Sequence, residues 1–342
     1  VVDPLGKQPR PKTGRRSPDP NDQNSLRRVR EADIKVGTIW VDHPPQRAIL
    51  AQIRRYMEVC QAHKGLPLTG RRLSQMSQAG KSATIERLRF ELAEEDRAAN
   101  RPVNRFRVLH VTMDRRMTLK MLYQQILIQM DDAFADEEGF RPQSAFNREG
   151  EKRGRKDNIK ELEHRIGRWV KLLGVECIVI DEVQHLHRGG ADASEVTKKL
   201  QAFLDRSVVP LVFIGDETST DFFLRNPQFA ARLLRPLELH PLNDNNRNDR
   251  KLFKEFCTSL DQQIQAAGLT TFSSGFDDDD VLEGLITASG GHVGRVARLV
   301  QVALPAALER GALSIEPFDL SNAVRDYAMI LGWVHHDPFS VQ

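Results

Sequence analysis

Apolar positions along the first two thirds of the chain follow two alternating rhythms, and the last third keeps only one of them. Ala48–Val59 has the 3.6-residue spacing of an amphipathic helix, and Pro44-Pro45 is expected to stop that helix from extending backwards. A short strand is predicted at Leu66–Thr69, followed by a Gly- and Ser-containing loop and a helix from Lys81 to about Leu92. Phe106–Val111 reads as a strand, and Thr118–Met130 and Asn158–Leu173 as helices. Val175–Ile180 and Val208–Gly215 are almost wholly apolar, which suits parallel strands covered on both faces. A helix over Ser194–Asp205 lies between them, and Leu237–Leu239 is a candidate last strand. Strands alternating with helices predict right-handed βαβ units and a parallel sheet. From Asn246 onward only helical spacing remains, at about 247–266, 278–289, 293–309 and 316–330, with no internal repeat.

This pattern divides the 342 residues into four parts. Residues 1–33 are expected to form a flexible arm. It carries Lys7, Arg10, Lys12, Arg15, Arg16, Arg27, Arg28 and Arg30 among Pro, Gly, Asn and Asp, with too little apolar surface to fold alone. Such an arm either tracks phosphates or is a solvated tail. Residues 34–243 form the α/β domain, interrupted by a charged loop or insertion at 131–157. Residues 244–333 form a small helical domain, and 334–342 a C-terminal tail. The chain opens on Val1, so further residues upstream are allowed for, and what is present lacks the apolar stretch of a secretory signal.

Composition narrows the function classes only modestly. No apolar run approaches the ~20 residues that span a bilayer, so no membrane partner is expected. Cys60, Cys177 and Cys257 are far apart in apolar surroundings, which fits neither a metal site nor a disulfide framework and suits a reducing cytoplasm. The net charge of +3 does not announce nucleic-acid binding by itself.

The chemistry lies in the motifs. Ala79-Gly80-Lys81-Ser82-Ala83 follows a predicted strand and loop and opens a helix. In a phosphate-binding loop, backbone N–H groups and the helix N-terminus cradle the anion. A Lys neutralises phosphate charge, and a Ser or Thr hydroxyl ligates Mg²⁺. The full pattern has a Gly five residues before Gly80, where this chain has Gln75, so the loop must turn differently. Cys177-Ile178-Val179-Ile180-Asp181-Glu182 describes a buried strand delivering two carboxylates to the carboxyl edge of a parallel sheet, where open α/β sheets bind ligands. Asp181 would hold the metal with Ser82, and Glu182 would polarise an attacking water. His185 and His187 have H-x-H spacing but no third ligand, and are read as loop histidines. Strand 208–215 ends at Asp216-Glu217-Thr218.

Two further stretches carry arginines. Phe229-Ala230-Ala231-Arg232-Leu233-Leu234-Arg235-Pro236 precedes the last predicted strand, and Arg232 and Arg235 would share one face of a short helix. Ser289-Gly290-Gly291-His292-Val293-Gly294-Arg295-Val296-Ala297-Arg298-Leu299-Val300 joins two helices of the C-terminal block.

In this order the features resemble the AAA+ superfamily and, within it, the TniB/TnsC family of transposition regulators. The narrower resemblance rests on Val41-Asp42-His43-Pro44-Pro45-Gln46-Arg47, the AGKS loop, CIVIDEVQHL and SGGHVGRVARLV, and spans about residues 34–330. It implies a P-loop ATPase core with a helical lid. It further implies ATP and Mg²⁺ as ligands, and ATP hydrolysis that is slow and dependent on assembly. His43 and Arg47 would then contact the base. AAA+ proteins place a polar group that senses the terminal phosphate at the end of the strand beside the acidic one, and the resemblance implies Thr218 there in preference to Asp216. Arg232 or Arg235 would reach a neighbouring subunit's nucleotide, and Arg295 would sense it from the lid. The implied partners are double-stranded DNA, a transposase with target-selection proteins, and further copies in a ring or filament. Basic stretches suited to a DNA-lined pore are Arg115 and Arg116, and Lys152, Arg153, Arg155 and Lys156; their contacts would be to phosphates. Two alternatives stand beside this reading. A replication initiator or helicase loader would append a DNA-reading domain, which is not expected within the residues after Trp333. A nucleotide-gated scaffold would bind ATP and hardly hydrolyse it.

Overall fold

The structure, a computed structural model, describes residues 23–63, 65–74, 80–114, 117–135, 159–185, 193–224 and 227–340. They fall into two compact units, one containing most of residues 45–239 and the other residues 23–44 and 240–340, with Gly80.

The first unit is built on a four-stranded sheet in the order β1-β4-β3-β2, with β1 at Arg71–Ser74, β2 at Val108–Thr112, β3 at Cys177–Asp181 and β4 at Leu211–Gly215. All three pairings are parallel. The two continuously apolar strands, β3 and β4, are the central ones, and every residue in both is buried. That is what a strand with helices on both faces requires. The first strand lies at Arg71–Ser74 rather than at Leu66–Thr69; it is an edge strand on which Leu73 is buried and Arg71 and Arg72 are half-buried. Leu237 contributes no strand, only an isolated bridge to Leu73, with a second bridge from Leu233 to Gly70.

Helix α1 (Pro44–Ala62) buries Ile49, Leu50, Ile53, Tyr56, Met57 and Cys60 at helical spacing. The proline pair forms its first turn rather than standing outside it, which is where a missing N–H costs nothing. Tyr56 fastens this helix to the sheet: its hydroxyl donates to the Thr69 carbonyl at 2.6 Å and accepts from the Leu211 N–H at 3.2 Å. Helix α2 (Lys81–Ala98) follows β1, and its Ile85 and Leu88 are fully buried. Helices α3 (Leu119–Ala135) and α4 (Ile159–Leu173) pack together, and α5 (Ala193–Asp205) connects β3 to β4.

The second unit is helical, with α6 at Arg247–Ala266, α7 at Asp279–Ser289, α8 at Val293–Glu309 and α9 at Pro317–Ala323, the last running into a π-turn at Val324–Ala328. Asn246 caps α6 by accepting the N–H groups of Asn248 and Asp249. Two expectations are corrected here. Helix α0 (Gln23–Val36) occupies part of the supposed flexible arm, and its Val29, Ala32 and Val36 join the core of this unit, packed against α8. Three apolar residues at helical spacing outweigh the surrounding arginines. The supposed tail is also packed: Val334 is part of the same core, Phe339 lies against it, and Asp337 accepts the Ser321 hydroxyl at 2.5 Å. The residues from Ile34 to Pro44 accordingly group with the helical unit rather than with the sheet. Among the described residues no helix is long and apolar enough to cross a membrane.

Candidate functional site at the carboxyl edge of the sheet

Parallel strands bring their carboxyl ends to one edge, and here that edge collects Asp181 from β3, Gly215 from β4 and the start of α2 after β1. Gly80 turns into the helix with φ +90, a conformation an L side chain resists. Lys81 is buried, at 8% exposure, and its Nζ donates to the Gly215 carbonyl at 2.9 Å. Burial lowers the pKa of this ammonium below its ordinary value, while the charges of Asp181, Glu182 and Asp216 oppose the shift. The expected phosphate-binding lysine is thus a desolvated cation beside three carboxylates, and a bound anion would further favour its charged form.

Asp181 is buried and accepts three hydrogen bonds. Its Oδ1 takes the Glu182 N–H at 2.8 Å; its Oδ2 takes His110 Nε2 at 3.0 Å and the Ser82 hydroxyl at 3.4 Å. Burial alone would raise its pKa. The His110 bond, the Glu182 N–H and the nearby Lys81 charge outweigh that and hold the carboxyl below the usual range. The Ser82 hydroxyl and Asp181 carboxylate are adjacent hard oxygen donors of the kind Mg²⁺ accepts. Two protein oxygens suffice for an ion that completes its shell with water and phosphate. Among the described residues no cluster of three or more His, Cys, Asp and Glu side chains gathers for a self-contained metal site.

Glu182 has φ +57, in the left-handed region that non-glycine residues avoid. Gln184, itself buried, donates Nε2 to Glu182 Oε2 at 2.6 Å and accepts the Asp216 N–H on Oε1 at 3.3 Å. His185 Nε2 lies 3.7 Å from Glu182 Oε2. Thr218 is exposed and donates its hydroxyl to Asp216 Oδ1 at 2.6 Å, while Asp216 acts on Lys81. Of the two sensing candidates, Asp216 is therefore the one electrically coupled to the lysine.

Sequence reasoning missed His110 and Gln184. His110 is the one ionisable residue in its strand, which was the signal available for it; Gln184, buried two residues past the acids, had none in the sequence. Gln46, within the stretch expected near the base, donates its Nε2 to Thr84 Oγ1 at 3.4 Å in α2's first turns.

The remaining expected residues are placed less closely. Ala83 is exposed on α2's first turn. Arg47 is exposed, and His43 in the helical unit is buried edge-on to Phe256, ring centroids 5.7 Å apart. Arg232 and Arg235 do not share a helix face: the short helix ends at Ala230, and the chain then runs alongside β1, where Gly70 N–H donates to the Arg232 carbonyl and Leu234 N–H to the Gly70 carbonyl. Arg232 lies 3.2 Å from Asp205 Oδ1 without hydrogen-bond alignment, and Arg235 is exposed with no ion pair among the described residues. In the helical unit Arg295 donates to the Ser289 carbonyl at 3.3 Å and lies over the Trp333 ring at 5.1 Å. Gln75, Ala79, Arg115, Arg116, Lys152, Arg153, Arg155, Lys156 and His187 lie outside the described residues.

Comparison with known proteins agrees with this geometry. Residues 76–223 match the family described as AAA domain. No curated protein matches by sequence. Among solved structures, Cdc6p from Pyrobaculum aerophilum superposes with a TM-score of 0.59 at 13% identity, over 86% of this chain and 70% of that one. The ADP form of the Aeropyrum pernix ORC2 protein gives 0.54 at 14%, over 81% and 67%. The Aeropyrum pernix ORC1 protein in complex with DNA gives 0.54 at 15%, over 84% and 66%. Residues 76–223 therefore resemble an AAA domain, and the chain has the fold of the AAA+ P-loop ATPases, with a helical C-terminal region.

Proposed function

We propose that the protein is an AAA+ ATPase that binds ATP at Lys81, assembles on double-stranded DNA and regulates transposition. The convergence of Lys81, Ser82, Asp181 and Glu182 at one sheet edge carries the ATPase part of this reading. Lys81 would exchange the Gly215 carbonyl for phosphate oxygens. Glu182, held by Gln184, would orient and deprotonate the attacking water. Mg²⁺, held by Ser82 and Asp181, would neutralise charge developing on the phosphates. Arg235 would complete a neighbour's site in trans, Arg295 would read the nucleotide from the helical unit, and His43 with Arg47 would border the base.

The transposition role rests on the four stretches that resemble TniB/TnsC proteins, with a transposase and target-selection proteins as partners. The DNA-bound ORC1 relative makes duplex DNA the first ligand to test. The likeness to Cdc6p and ORC proteins favours one second reading, a replication initiator or helicase loader.

ATP turnover measured with and without duplex DNA tests the core of the proposal, and electron microscopy with a slowly hydrolysed analogue tests the assembly. Nucleotide-dependent rings or filaments centred on DNA are expected. Tight ATP binding without turnover would instead make the protein a nucleotide-gated scaffold, and absence of any nucleotide binding would remove the whole reading. A transposase captured on the nucleotide-bound assembly, rather than a replicative helicase, distinguishes the two roles.

A further inference from the structure

His110 stands in β2, a strand otherwise composed of Val108, Leu109, Val111 and Thr112. An imidazole there needs a reason, because each strand residue beside it is apolar or a small hydroxyl. In the parallel pairing of β2 with β3, His110 lies beside Val179, and Asp181 is two residues further along β3. A two-residue step returns to the same face of a sheet, so the ring and the carboxylate project to the same side.

They meet at 3.0 Å, Nε2 to Oδ2, with the imidazole 13% and the carboxylate 7% exposed. An ionised carboxylate only accepts, so Nε2 carries the proton in this bond. The histidine is held from behind. Its backbone carbonyl accepts Gln129 Nε2 from α3 at 2.7 Å, and its Nδ1 lies 3.9 Å from Glu86 Oε1 on α2, the helix that also carries Ser82.

The three bonds to Asp181 differ in what they can withstand. The Glu182 N–H comes from the adjacent residue and fixes Oδ1. Ser82 makes the longest bond, at 3.4 Å, and its hydroxyl is itself one of the two oxygens offered to a divalent ion. If Ser82 turns to such an ion, His110 is the side chain that still fixes Oδ2.

We propose that His110 is a positioning residue for the divalent-metal site, fixing the Asp181 carboxylate so that Oδ2 stays beside the Ser82 hydroxyl. The inference rests on the ATP-binding reading above. It differs from a purely structural role for the histidine, which would affect stability but not metal demand.

The test is a Mg²⁺ titration of the full chain with a fluorescent ATP analogue, begun in EDTA, for the wild type and for His110→Leu, His110→Asn and His110→Gln. Partners that orient metal ligands are typically worth roughly 10–100-fold in metal affinity. His110→Leu is expected to raise the Mg²⁺ concentration at half-saturation by about that factor, with binding in EDTA unchanged. His110→Gln places an amide N–H near the former Nε2 and is expected within about three-fold of the wild type. The shorter His110→Asn is expected to behave like His110→Leu, and it serves in its place should the leucine variant fail to fold. A Mg²⁺ midpoint unmoved in both the leucine and asparagine variants overturns the proposal, as does a glutamine variant as impaired as they are. A wild type that binds no nucleotide with or without Mg²⁺ is a different result and overturns the nucleotide reading itself.

Discussion

Gln184 grips Glu182: its amide donates to Oε2 at 2.6 Å while its own oxygen accepts the Asp216 N–H from the end of β4. Glu182 is placed there by a left-handed backbone, a conformation costing about 1–3 kcal/mol that persists only when surrounding bonds over-determine it. Gln184 bonds the side chain rather than the backbone, and it fixes the direction of the carboxylate that the proposed reaction uses. Glu182→Gln is expected to lower ATP turnover by about 10²–10⁴-fold, the range for loss of a general base, with ATP affinity little changed. Gln184→Ala leaves the carboxylate present but untethered, so a smaller loss in kcat, roughly 10-fold, is expected with KM nearly unchanged. Steady-state kinetics on both variants checks this. A Gln184→Ala enzyme with wild-type kcat would show that the tether does no orienting.

Lys81 makes the opposite kind of prediction, because burying its charge is costly. Its ammonium is buried, its pKa lies below the ordinary lysine value mainly through desolvation, and its Nζ donates to the Gly215 carbonyl. Lys81→Met keeps the volume and removes the buried charge, so the melting temperature should change little. A lost charge-assisted bond to phosphate costs about 1.5–3 kcal/mol, hence roughly 10–100-fold in ATP affinity. Calorimetry and thermal melts on one preparation measure both; ATP affinity equal to the wild type would exclude Lys81 as the phosphate contact.

What could be read in advance followed from how strongly burial and function are written into neighbouring residues. The run Cys177–Glu182 states both at once, since a strand apolar throughout must be central and two acids at its end must lie at the sheet edge. The first strand was less legible because Arg71 and Arg72 lie half-buried at an edge, so its apolar content is lower than that of the loop before it. Helix α0 was hidden by charge: Arg27, Arg28 and Arg30 dominate its composition, while Val29, Ala32 and Val36 determine its packing. His110 and Gln184 act through partners distant in sequence or across a tight turn, and no local pattern announces such partners. The arginines at 232 and 235 were assigned to a helix by spacing, whereas the edge of β1 claims that backbone.

Acid should destabilise the helical unit through two histidines. Burial pushes the pKa of His43 down to about 4, against the pull of Asp42. Burial, with the positive charge of Arg295, pushes His292 down to about 4 as well. Between pH 6.5 and 4 the unfolded chain binds protons at these positions that the folded chain does not, so stability is full above the unfolded value and declines as pH falls. The loss is about 2 kcal/mol per histidine by pH 5. Denaturation midpoints at pH 7.5 and pH 5, compared for the wild type and His43→Leu with His292→Asn, check this. The double variant should lose most of the difference, and an unchanged difference would assign the acid sensitivity elsewhere.

Gly291 should tolerate no side chain. It has φ +76, its carbonyl accepts the Leu242 N–H at 3.0 Å, and a Cβ there would run into the Leu242 carbonyl oxygen. Gly268 has a similar φ of +71 but open space around it. Ala at Gly268 should therefore cost only the left-handed penalty, about 1–2 kcal/mol. Ala at Gly291 adds displacement of a backbone and should cost about 3 kcal/mol or more. Equal losses in urea denaturation would mean that the backbone at Leu242 yields freely.

The two arginines after the short helix can be separated by mixing subunits. Arg232 lies beside Asp205 of its own chain, whereas Arg235 is exposed and has no ion pair among the described residues. If Arg235 serves a neighbour, Arg235→Ala should abolish most DNA-stimulated hydrolysis, since an arginine supplied in trans is worth about 10³–10⁵ in rate. ATP affinity measured on unassembled protein should stay unchanged. Glu182→Gln subunits lack the base but still carry Arg235, and Arg235→Ala subunits have the complementary defect. Co-assembly then creates interfaces in which an intact Glu182 faces an intact Arg235, and a fraction of activity should return. Arg232→Ala mixed in the same way should restore nothing, because that variant is expected to retain its own activity. Activity that fails to return on mixing inactive Arg235→Ala and Glu182→Gln proteins, under conditions where they co-assemble, would place the arginine's effect within its own subunit.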